Sequence, residues 1–127
     1  MKFSKRKLRL FLETESADSE INNKPLLFWS LDQPKIVKLL LESGANANIE
    51  IEIYKGLIVT PISVCKVILR QLKKTVNMSE NYGLINVCTS VRDTMENIQA
   101  SMKLLTRFNG VSGQYRNYIS LNIRKSD

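Results

Sequence analysis

The sequence contains no histidine, and that absence removes much of enzyme chemistry. Without imidazole there is no Ser–His or Cys–His nucleophile, no histidine general base near neutral pH and no histidine metal ligand. Cysteine is nearly as scarce, with only Cys65 and Cys88. Two thiols make neither a disulfide framework nor a four-ligand zinc site. Both lie among apolar residues, so they read as buried free thiols. The five glycines are scattered singly as turn residues, and no glycine-rich phosphate loop exists. Long apolar runs are missing too. Nothing approaches the ~18 apolar residues of a membrane span, and Leu8–Leu12 is too short and too charged for the core of a signal peptide. The sequon Asn77-Met78-Ser79 would matter only in a secreted chain, and no other feature argues for secretion. A reducing intracellular compartment, the cytoplasm by default, is the expectation.

What is present is one domain's worth of chain, 127 residues, enough for a modest core. Its 43% hydrophobic and 24% charged residues are ordinary for a globular protein, but the formal charge of +7 is high for the size. Nucleic acid, an anionic membrane and an acidic protein surface are therefore all conceivable partners. The excess is uneven. Lys2, Lys5, Arg6, Lys7 and Arg9 crowd the start, and Glu13, Glu15, Asp18 and Glu20 follow directly and nearly cancel them.

The chain is organised around Pro34 to Asn48. Asp32 or Gln33 suits the N-cap of a helix, and Pro34 suits its first position, where a missing N–H costs nothing. Ile36, Val37, Leu40 and Leu41 form an apolar stripe that Leu39 widens. Gly44 fits a left-handed terminator, and Asn46 and Asn48 suit the turn beyond it. So few polar positions require neighbours stacked on most of the helix. Before it, Pro25 opens a shorter helix with Leu26, Leu27, Trp29 and Leu31 on its apolar side, and Asp32 to Pro34 break it. Helix, tight corner and helix make an antiparallel hairpin.

These residues resemble the ankyrin repeat. Pro25-Leu26 is similar to the family's Thr-Pro-Leu opening, with Lys24 in place of the threonine. Ile36-Val37-Lys38-Leu39-Leu40-Leu41-Glu42-Ser43-Gly44-Ala45-Asn46-Ala47-Asn48 is similar to its second helix and closing turn. Gly56 and Thr60-Pro61-Ile62 begin a second unit in the same manner. The resemblance covers residues 24 to 72 well and 83 to 113 loosely. It implies an all-α fold, a short ankyrin-like stack of antiparallel helix pairs with extended finger loops. Its segments are a basic then acidic cap over 1–23, repeats over 24–52, 53–82 and 83–113, the last two degenerate, and a partial repeat or tail over 114–127.

Met1 to Glu13 is an amphipathic basic helix: a cap on the first repeat, a nucleic-acid or nuclear-import patch, or a membrane-surface helix. Glu13 to Asn23 is polar and reads as a loop. Ile49, Ile51 and Ile53 alternate with Glu50, Glu52 and Tyr54, which predicts an extended finger rather than a plain loop. From Pro61 a helical stripe runs through Val64, Cys65, Ile68, Leu69 and Leu72, with Lys66, Arg70, Lys73 and Lys74 as a basic ridge. Thr75 to Gly83 reads as turn-like. Gly83 to Cys88 starts a third unit, and Asp93 and Glu96 have capping-box spacing ahead of a helix through Met95, Ile98, Met102, Leu105 and Phe108. Asn109-Gly110 ends it, and Tyr115 to Ile123 alternates too weakly to choose between half-repeat, strand and tail.

Reactive constellations are few in this sequence. Ser63-x-x-Lys66 has the spacing of some acyl-transfer enzymes but lies on an apparent repeat helix, and Trp29 reads as a core filler before a binding aromatic. No catalytic residue, cofactor site or metal site is expected. Two function classes remain. The resemblance implies a non-catalytic protein–protein interaction module, and ankyrin-type stacks bind through fingers and first helices. Its expected contacts are Leu27, Ser30, Ile51, Ile53, Tyr54, Lys55, Lys66 and Arg70. Irregular members of the family occur in viruses, intracellular bacteria and protists, which suggests an effector engaging a protein of a host cell. The alternative is an electrostatic binder of nucleic acid or anionic membrane, led by Lys2, Lys5, Arg6, Lys7 and Arg9 and assisted by Arg107, Arg116, Arg124 and Lys125. No small-molecule substrate is expected.

Overall fold

A computed structural model describes residues 2 to 110. The expectations for Tyr115–Ile123 and for Arg116, Arg124 and Lys125 lie outside those residues. Helix α1 (Lys5–Leu12) starts at Ser4, whose side chain accepts the Lys7 N–H. Only Leu8 of this helix is buried, with Phe3 and Leu12 packed partly against the core. The Phe3 N–H donates to Gln33 Oε1 at 2.9 Å, pinning the entry of α1 beside the start of α3. The basic start is therefore a helix packed against α3.

The acidic stretch after α1 is more structured than a loop. Strands β1 (Glu20–Ile21) and β2 (Lys24–Pro25) pair antiparallel across Asn22 and Asn23, whose φ angles are 52° and 63°. Two successive left-handed residues make the primed two-residue turn that matches strand twist, and asparagine tolerates it better than most residues. Helix α2 (Leu26–Trp29) follows directly, burying Leu26, Leu27 and Phe28.

Helix α3 (Pro34–Glu42) begins with Gln33 at the N-cap and Pro34 inside it, and buries Ile36, Val37, Leu40 and Leu41 as the stripe predicts. At its end Gly44 has φ 98°, the Ala45 N–H bonds Leu40 O at 2.9 Å and the Gly44 N–H bonds Leu41 O at 3.1 Å. This 6→1 and 5→2 pair is the Schellman motif, which needs a left-handed residue at Gly44. Beyond it the asparagines knit the turn. Asn46 Oδ1 accepts the Asn48 N–H, the Asn46 N–H donates to Asp18 Oδ1, and Asn48 Nδ2 donates to Asn109 O.

The alternating isoleucines form a second hairpin as expected, β3 (Ile51–Tyr54) with β4 (Leu57–Val59), irregular between Glu52 and Tyr54. The Gly56 N–H donates to Glu52 Oε1 and closes the turn. Thr60 then caps helix α4 (Pro61–Asn81) by accepting the Ser63 N–H.

The turn expected from Thr75 begins only at Tyr82. Thr75 to Asn81 continues α4 without a break, because its polar residues face solvent while Val76 and Ser79 turn inward. Helix α5 (Ile85–Arg107) starts after a second Schellman turn, in which the Leu84 N–H bonds Ser79 O and the Gly83 N–H bonds Glu80 O. Gly83 thus ends a helix, and Asp93 and Glu96 lie inside α5, where they cap nothing. Asn109, not Gly110, is the left-handed residue that ends α5. Gly110 is required for closeness, since a Cβ there would sit 2.6 Å from Leu105 O and 2.9 Å from Ile62 Cδ1.

The described fold is mostly helical with two small antiparallel sheets. Helix α3 packs against α1, α2 and α5, and α5 packs against α4. One apolar core joins Leu26, Leu27, Phe28, Leu31, the α3 stripe, Ile62, Cys65, Ile98 and Leu105. It stops about halfway along α4 and α5. At 1.5 Å per residue α4 is ~32 Å long and α3 only ~14 Å, so the far halves of α4 and α5 pair mainly with each other. Cys88 Sγ, beside Val76 O at 3.8 Å, lies in that outer part, and Met78, Tyr82, Leu84 and Ile85 at its end are at least half exposed.

Candidate functional site

The two hairpins stand next to one another and enclose a groove of about 590 Å³ lined by Glu20, Asn22, Asn23 and Lys24 of the first and Glu50, Ile51, Glu52 and Ile53 of the second. Each is fixed by a local device. Trp29 Nε1 donates to both Ile21 O at 3.0 Å and Lys24 O at 3.1 Å, and Lys24 Nζ sits 3.8 Å from the centre of the indole ring. The indole thus clamps the base of the first finger, with Lys24 held by a cation–π contact. It is only half-buried, so the core-filling role expected of Trp29 gives way to this clamp. The second finger leads straight into the Thr60 cap of α4.

Of the expected contacts, Ile51 and Ile53 line the groove, and Tyr54 and Lys55 form the second finger's tip. Ile53 is 56% and Tyr54 75% exposed, unusual for large apolar groups. Lys66 and Arg70 are exposed on α4 but do not line the groove. Leu27 and Ser30 are overturned as contact residues. Leu27 is a core residue and Ser30 is fully buried, its Oγ donating to Leu27 O at 3.1 Å, because α2 turns both inward against α3. Glu20, Asn22 and Asn23 also line the groove, although the acidic stretch that carries them reads as a loop. The signal that marks them is two consecutive asparagines between extended residues.

The N-terminal cations divide. Lys5 and Arg9 line a cleft with Lys35, Lys38, Leu39 and Glu42 of α3, whereas Lys2 and Lys7 line a smaller one with Phe3, Leu8 and Phe11. Arg6 and Arg107 are exposed and line neither.

Burial pushes the Cys65 thiol up to about 12, so it stays protonated and inert at neutral pH. Ser63 Oγ lies 3.0 Å from Thr60 Oγ1, within the α4 cap. Among the described residues no group of three or more acidic or thiol side chains is arranged to hold a metal ion, and no helix is long and apolar enough to cross a membrane. No family model, curated protein or solved structure matches the chain.

Proposed function

We propose that this chain is a non-catalytic protein-interaction module of ankyrin type, which grips a protein partner with its two fingers. The observation that carries the reading is the finger groove, two hairpins side by side with Ile53 and Tyr54 exposed at one edge. Repetition supports the ankyrin character: each hairpin runs into a proline-started helix, Pro25 before α2 and Pro61 within α4. The packing of α3 against α5 is compatible with units stacked along one axis.

Groove chemistry narrows the partner. Glu20, Glu50 and Glu52 line it together with Lys24, Ile51 and Ile53. A protein segment presenting Lys or Arg beside an apolar side chain complements that surface, the apolar contact giving affinity and the charges giving orientation. The reading places the protein inside a cell, in the reducing cytoplasm, and the free buried thiols Cys65 and Cys88 suit that compartment. An effector acting on a host protein is one form such a module takes.

Site-specific photocrosslinking tests the proposal. A crosslinking amino acid replaces Tyr54 in one variant and Lys74 in another, each expressed in cells. The expected result is a discrete adduct from position 54 that disappears with Ile53→Asp and is absent from position 74. Equal adducts from both positions, or none from position 54, would overturn the finger surface.

A further inference from the structure

The cleft between α1 and α3 has a character unlike the finger groove. It occupies about 420 Å³, and four of its six lining residues are cations: Lys5 and Arg9 from α1, Lys35 and Lys38 from α3. Glu42 is the one carboxylate there. Lys5 and Arg9 are four positions apart on one helix, and Lys35 and Lys38 three apart on the other, spacings at which like charges repel. Packing α1 on α3 then gathers all four about one opening. Among the described residues the one ion pair is Arg92 with Glu80, so Glu42 neutralises none of the four within ion-pair distance.

We propose that this cleft binds a compact anion carrying several phosphate groups, a phosphorylated polyol either free or as a lipid headgroup. Clustered phosphate is the chemistry that four converging cations fit, because each Lys or Arg donates a charge-assisted hydrogen bond to a separate oxygen. Size and composition disfavour a nucleic-acid strand. No aromatic residue lines the cleft for base stacking, and Lys2 and Lys7 border a different opening instead of extending the track. The recognition is independent of the fingers and depends on no partner there.

Calorimetry on the full chain with inositol hexakisphosphate at physiological salt tests this. Wild type is expected to bind one molecule per chain. Arg9→Gln with Lys38→Gln should weaken binding about tenfold or more, each lost charged hydrogen bond being worth a large part of that factor. Lys73→Gln with Lys74→Gln lowers net charge equally on α4 and should leave affinity within about twofold, the scale of a distant surface charge. All four positions are solvent-exposed, and circular dichroism confirms that each variant folds. A parallel sedimentation assay compares vesicles bearing phosphatidylinositol bisphosphate with phosphatidylserine vesicles of matched charge. Preference for the bisphosphate that the Arg9/Lys38 variant loses assigns the headgroup as the source; binding of the soluble compound without vesicle preference assigns the free form. No binding by wild type to either probe, equal loss in both double variants, or equal binding to both vesicle types without soluble binding would overturn the site.

Discussion

At the scale of single residues, several polar atoms hold positions that apolar packing alone would leave loose. Trp29 fastens the first finger through one nitrogen shared by two carbonyls. Cys65 shows burial acting on chemistry. Its thiol is raised from 9.0 to about 12 by desolvation, so above pH 9.0 the unfolded chain ionises while the folded chain stays protonated. Stability is therefore fully retained below pH 9.0 and is lost as pH rises from there toward 12. Urea unfolding across that range should show wild-type stability falling with a steeper slope than that of Cys65→Ala, and identical slopes would contradict the assignment. Ser101 is the opposite case, a fully buried hydroxyl without a hydrogen-bond partner among the described residues. Replacing it with alanine should be neutral or raise stability by up to about 1 kcal/mol, since the removed group was desolvated without compensation. A loss above that size in chemical denaturation would show that the hydroxyl has a partner. Neither property was legible in the sequence beyond the burial of Cys65, because satisfaction of a polar atom depends on what tertiary packing brings beside it.

Elements are where the sequence was most and least informative. Helix α3 was legible in full: proline start, apolar stripe and glycine stop agree with one another, and nothing outside the segment is needed to define them. The second finger was legible for the same reason, its isoleucines alternating with period two. The outer half of α4 was not. Thr75 to Asn81 is polar and carries no stripe of its own, and its helicity comes from pairing with α5, a contact between residues distant in sequence. Three helices end with the same left-handed turn, at Gly44, Gly83 and Asn109. Gly44→Ala should cost more than about 1 kcal/mol, since alanine strains at φ 98° with no compensating contact. Thermal melting of the variant measures that directly, and an unchanged midpoint would mean the turn rearranges freely.

At the scale of the whole molecule, the described residues form an asymmetric arrangement. Its core fills the region around α3 and the near halves of α4 and α5, and the far halves extend beyond it with Val76, Ser79 and Cys88 as their main buried residues. Local opening follows contact density. Amide hydrogen exchange should therefore be faster for Met78–Val91 than for Ile36–Leu41 and Ile98–Leu105, and uniform protection along α4 and α5 would contradict the description. Charge is asymmetric too. The N-terminal helix and the start of α3 concentrate cations, while the finger groove is lined by three carboxylates. Along the chain the basic block adjoins Glu13, Glu15, Asp18 and Glu20; in the fold only Glu20 of these lines the finger groove, where Glu50 and Glu52 join it from the second finger. The candidate site was legible only in part for the same reason. Ile51, Ile53, Tyr54 and Lys55 belong to a local pattern, whereas the contribution of Glu20, Asn22 and Asn23 depends on a neighbouring finger some thirty positions away. The most direct test is the affinity of the crosslinked protein partner, measured by calorimetry for wild type, for Ile53→Ser with Tyr54→Ala, and for Lys73→Gln with Lys74→Gln. A finger-borne interface predicts at least a tenfold loss, about 1.4 kcal/mol, in the finger variant alone; equal affinity in all three would contradict it.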